Sequence, residues 1–138
     1  MPGSINSPMN IFDVAGRAMA AQLTRLNTTA SNMANARSVA SSEADAFRAL
    51  KPVFRTHASS PDMATVDVER IVQSDTQPKK RHDPANPMAN ADGYVWEAGV
   101  DEPTEMIEMI ETARQYQNNV QVLQTAKSLI LETIRMGE

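Results

Sequence analysis

Apolar residues recur at helical spacing at both ends of this chain and lose that period between them. Phe12, Gly16, Met19, Leu23, Leu26, Ala30 and Met33 step by four and three residues alternately, the spacing that keeps one stripe of an α-helix turned toward a partner. Met106, Met109, Ala113, Tyr116, Val120, Leu123, Lys127, Ile130 and Ile134 keep the same rhythm, with Lys127 its one misfit. The pattern predicts a mainly α fold. Long helices over 10–36 and 104–136 pair as an antiparallel coiled coil, an irregular β-rich module fills 37–103, and residues 1–9 form a flexible arm.

Charge divides the helix surfaces further. No charged side chain occurs from Leu26 to Ala36 or from Gln115 to Ala126. A water-facing helix surface normally carries ions. Amides, hydroxyls and small apolar groups can instead be buried against protein without the several kcal/mol, roughly, that each unpaired ion costs on desolvation. Both stretches therefore read as contact surfaces, with Asn27, Asn32, Asn35 and Asn119 beside the apolar stripes. A lone chain has no means of covering them, so its ends are expected to order on assembly.

The middle is interrupted by six of the eight prolines, each of which removes a backbone donor. Phe47–Phe54 and Thr65–Val72 have strand-like content, and Asp92-Gly93 before Tyr94, Val95 and Trp96 predicts a two-residue hairpin turn. Lys79, Lys80 and Arg81 read as a solvated loop. Ser7 or Asn10 is placed to cap the first helix, and Asp101, Pro103 and Thr104 to open the last. Glu105, Glu108 and Glu111 suit the dipole at its start, and Gly137 marks its stop.

Composition excludes several functions. The net charge of −4 opposes a dedicated nucleic-acid binder, which needs a cationic surface. With no cysteine, there is neither a disulfide nor a thiolate metal site. No apolar run approaches the roughly 20 residues of a membrane span, and the first residues lack the basic and apolar blocks of a cleaved leader. The two histidines, His57 and His82, are not spaced against a second zinc ligand, and His82-Asp83 has no serine in a nucleophile-elbow context. The five glycines are scattered singly, so no phosphate loop is present. These readings predict no enzyme, cofactor, metal or small-molecule substrate.

Leu26-Asn27-Thr28-Thr29-Ala30-Ser31-Asn32-Met33-Ala34-Asn35-Ala36, preceded by Phe12-Asp13-Val14-Ala15-Gly16, resembles the N-terminal signature of the bacterial flagellar rod and hook axial proteins, and of their proximal rod members in particular. Phe47-Arg48-Ala49 with Val53-Phe54, Val66 through Ile71, and Asp83-Pro84 through Val95 are similar to the same members. Glu105-Met106-Ile107 with Ala113, Tyr116, Gln117, Asn119 and Val120 resembles the family's C-terminal signature. Departures occur at Asn86, at Trp96 through Gly99 and at Ser41 through Ala46, which bear on local loops and subunit contacts.

The resemblance implies a subunit exported through the flagellar type III apparatus without a cleaved signal peptide and polymerised in the periplasm. Its partners would be other rod proteins, copies of itself, and ring or export-gate components. The paired helices would surround the export channel, the middle module would face outward, and the rod would transmit torque. A soluble secretion adaptor or chaperone holding one partner in a groove is the alternative, and a cell-wall-remodelling enzyme a distant third.

Overall fold

The computed structural model describes residues 8–60 and 63–137, in the order α1 (Pro8–Asn35), β1 (Val39–Ala40), β2 (Leu50–Ser60), β3 (Met63–Gln73), β4 (Lys79–His82), β5 (Tyr94–Glu97) and α2 (Glu102–Met136). The helices are 28 and 35 residues long, about 42 and 52 Å at 1.5 Å per residue. No described helix is long and apolar enough to cross a membrane. Helix α1 starts at Pro8, so Pro8 and Met9 belong to it, while the rest of the expected arm and Ser7 lie outside the described residues. Asn10 falls inside the helix, two residues past its first.

Helix α2 begins at Glu102, two residues earlier than its periodicity implied, with Asp101 as N-cap and Pro103 in the first turn, where its missing N–H is harmless. The Asp101 carboxylate accepts a 2.7 Å bond from the Thr104 hydroxyl. At the other end Gly137 has φ −81°, so the helix stops in right-handed geometry without a left-handed glycine cap.

The middle divides into two pieces. Strands β2 and β3 form a long antiparallel hairpin, with register shifts at Val53/Phe54 and Ala58/Ser60. Strand β5 lies between β1 and β4 in a small antiparallel sheet. Lys79 to Arg81 is therefore an exposed edge strand and not a loop. Lys80 stands 4.2 Å over the Tyr94 ring, and Arg81 donates to Glu97 at 2.6 Å, so ladder and side chains fix the basic run in place.

The expected two-residue turn is replaced by a compact loop over 83–93. The Asn90 carboxamide oxygen accepts from the N–H groups of Asp92 and Tyr94, and Gly93 adopts φ +83° as the loop re-enters β5. Asp92 does not share the positive φ that a two-residue type I′ turn demands. The Asn90 side chain supplies the turn instead.

Small residues join these pieces. Ala40, Ala46, Ala49, Val95 and Ala98 are buried, and Gly99 donates its N–H to Phe47 O at 2.7 Å while accepting from Ala49 N at 3.1 Å. Ser74 N bonds Ala49 O at 2.7 Å. The segment after β5 thus threads between the base of the hairpin and the start of α2.

Candidate assembly interface

Polar links hold the helices to each other. Gln22 meets Asn119 at 3.1 Å, Arg25 meets Glu108 at 3.1 Å, Asn32 meets Glu105 at 3.1 Å, and Arg37, just past α1, meets Glu102 at 3.2 Å. The partners descend α2 as the series climbs α1. On α2 the inner stripe is Glu105, Met109, Thr112, Tyr116, Asn119, Leu123, Ala126 and Ile130, all buried or half-buried.

That stripe shares Met109, Tyr116, Leu123 and Ile130 with the apolar series read from sequence. At the alternate places it uses the preceding residue, leaving Met106 and Lys127 exposed and Ala113 and Val120 half-buried. The misfit of Lys127 disappears because Ala126 occupies its position. On α1 the inner stripe is Ala15, Ala18, Gln22, Arg25, Thr29 and Asn32.

The apolar series of α1 is turned part-way to water. Phe12, Met19, Leu26 and Met33 are half-buried, whereas Gly16, Leu23, Asn27 and Ala30 are exposed, Leu23 by 45%. Counting apolar residues located the helix but mistook its inner face, which is small and hydrogen-bonding. Asn35 is half-buried and donates to Ser31 O at 2.8 Å. Asn32, 1% exposed, works inside the chain: its carboxamide pairs with both backbone groups of Leu50 and donates to Glu105.

Glu105 was read as one of three carboxylates serving the helix dipole. It is 4% exposed, and burial above all raises its pKa over the ordinary value of about 4.5. The Asn32 bond and Lys51 oppose the rise, while Glu108 and Asp101 add to it. The available signal was its place in the four-three frame that begins at 105.

Large apolar side chains crowd the outward surface of α2. Ile107 is 58% and Ile110 55% exposed, and Met106, Val122, Leu129, Leu131 and Ile134 are exposed too. Towards the C-terminal end a groove of about 570 Å³ runs between Ile11 and the Val122, Leu129 and Ile134 side of α2. Among the described residues nothing ionic lines it. Arg114 and Lys127 apart, the exposed surface of α2 from Thr112 to Leu131 is uncharged, as buried contact with another protein requires.

A second cavity, about 720 Å³, lies where α1 ends and α2 begins. Two ion pairs stand in its walls, Arg37 with Glu102 and Arg81 with Glu97. Among the described residues no three His, Asp or Glu side chains gather to hold a metal ion. His57 lies 3.7 Å from Asp67, which also takes Arg17 at 3.2 Å, and His82 packs edge-on against Tyr94.

Residues 12–37 match the family described as flagella basal body rod protein, and residues 91–136 match the C-terminal region of the flagellar basal body rod FlgEFG proteins. The flagellar basal-body rod protein FlgC of Salmonella typhimurium is 43% identical over 132 residues, covering 94% of this chain and 98% of that protein. Its namesake in Yersinia enterocolitica is 44% identical over 134 residues, covering 96% and 99%. The one in Aquifex aeolicus is 34% identical over 125 residues, covering 90% and 92%. Identity at this level along almost the whole length of both partners means that the chain belongs to the FlgC family of flagellar basal-body rod proteins.

Proposed function

We infer that the protein is a structural subunit of the flagellar basal-body rod, and that the exposed apolar surface of α2 is where neighbouring subunits dock. The observation that carries the reading is the placement of Ile107, Ile110, Val122 and Leu129 outward on α2, whose exposed surface between Arg114 and Lys127 carries no charge, in a chain whose relatives are named as rod proteins. An exposed apolar surface of this extent marks a protein contact. The opposed order of the interhelical links supports an antiparallel coiled coil of α1 and α2, with the β module outside it.

In the assembled shaft, Phe12, Gly16, Met19, Leu23, Leu26, Asn27, Ala30 and Met33 face neighbouring helices where α2 leaves them open. Met106, Val120 and Ile134 do so from α2. Load spreads over many desolvated side chains, and the rod carries torque while enclosing the export channel. The partners are other rod proteins, further copies of this chain, and ring or export-gate components. The subunit reaches the periplasm through the type III apparatus.

The test is Ile110→Asp with Leu129→Asp in cells lacking their own copy. Both sites are exposed, so the purified variant retains the circular dichroism of the parent. Motility on soft agar is lost and no rod is seen in basal-body preparations, whereas His82→Ala swims normally. Normal swimming by the double aspartate variant refutes the docking surface. A stable 1:1 complex with one exported protein, without polymerisation, establishes the adaptor reading instead.

A further inference from the structure

Three chain segments that are distant in sequence meet at one side chain. The Asn32 carboxamide oxygen accepts from Leu50 N at 2.8 Å, and its nitrogen donates to Leu50 O at 2.9 Å and to Glu105 Oε2 at 3.1 Å. A carboxamide has two N–H donors and one carbonyl oxygen, and all are used here. Toward Leu50, the first residue of β2, Asn32 behaves as one residue of a neighbouring strand would.

Glu105 faces this junction from the first turns of α2. The charged groups around it are Glu108 on its own helix, Asp101 at the cap and Lys51 on β2, while from α1 it meets the Asn32 amide. Arg25 of α1 is engaged 3.1 Å from Glu108. An ionised Glu105, 4% exposed, thus has one cation nearby against two anions. The neutral carboxyl keeps the Asn32 bond through its carbonyl oxygen and loses the desolvation cost.

We propose that Asn32, Leu50 and Glu105 form a proton-operated clasp that couples the base of the β2–β3 hairpin to the start of α2, tightened when the carboxyl is neutral and loosened when it ionises. The sign follows from linkage. A carboxyl that holds its proton more firmly folded than unfolded adds stability fully present below the unfolded value of about 4.5 and lost as pH rises through the folded value. The inference does not depend on the rod reading, since every contact lies within one chain.

The experiment is amide hydrogen exchange of the full chain at pH 4.5 to 7.5, read at Leu50 and corrected for intrinsic rates. In the parent, Leu50 protection rises on acidification, by at most about tenfold per pH unit for one linked proton. Glu105→Gln, which keeps the acceptor and removes the charge, is as protected at pH 7.5 as the parent is in acid, and flat with pH. Asn32→Ala loses Leu50 protection throughout. The clasp is overturned by parent protection that is absent, flat or falling on acidification. It is equally overturned by Glu105→Gln unfolding or losing protection at neutral pH, or by Asn32→Ala keeping it.

Discussion

Of the described glycines, Gly99 has the least room for the methyl that Gly99→Ala adds. A Cβ there falls 2.5 Å from Thr76 O, and 3.3 Å from both Gln77 C and Pro78 N. All three are backbone atoms, so no rotamer change relieves the clash. Either residues 76–78 or the Gly99 segment must move, and the latter carries the bonds to Phe47 O and from Ala49 N. Overpacking costs about 1–3 kcal/mol, and loosening the two hydrogen bonds about 0.5–1.5 kcal/mol each. The expected loss is about 2–6 kcal/mol, a fall of roughly 7–21 °C for a chain of this size. Differential scanning calorimetry of the purified chain measures it. A midpoint within about 2 °C of the parent would show that 76–78 do not press on Gly99, and the threading described for this junction would be wrong.

Two further substitutions test the helices from opposite sides. Thr112 is 1% exposed, and its hydroxyl has no hydrogen-bond partner; Thr112→Val removes that group at constant volume and should stabilise by about 1–3 kcal/mol. Urea unfolding should show a higher midpoint with an unchanged slope, and a lower midpoint would mean that the hydroxyl is satisfied. Gly16 lies in α1, and a Cβ there meets nothing within 4 Å, so Gly16→Ala should stabilise the isolated chain by about 0.8–1 kcal/mol through helix propensity alone. If a neighbouring rod helix approaches at Gly16, the same change reduces swimming; unaltered motility removes Gly16 from the docking surface.

The sequence displayed the two helices because their period is strong, and it displayed the ion-free surfaces because charge is visible residue by residue. It concealed which stripe turns inward. Hydrophobicity favoured Leu23 over Gln22 and Met106 over Glu105, yet Gln22 and Glu105 face the partner helix while Leu23 and Met106 face water. A hydrogen bond across a seam depends on what the other helix presents at that height, and one helix's periodicity does not contain that information. The β module was legible in outline for a similar reason. Polar positions Arg55 to Ser60 join β2 only through their pairing with β3, and the Asn90 carboxamide builds a turn that the dipeptide Asp92-Gly93 alone would not.

The two kinds of hidden residue belong to one design. Small or polar side chains, among them Ala15, Thr29, Asn32 and Thr112, occupy the interior of the helix pair, while Ile107, Ile110, Val122 and Leu129 stand outside it. Burying a large aliphatic side chain is worth about 1.5–3 kcal/mol, and the single chain leaves much of that gain unrealised. Its polar interior supplies direction more than stability, since a network such as Asn32–Leu50–Glu105 is satisfied in one relative placement of helix and hairpin only. Contacts made on assembly can then add the missing apolar burial without choosing the subunit's shape. If neighbours dock on α2 as proposed, the subunit's own hydrogen bonds set its geometry and the apolar contacts of assembly add the stability.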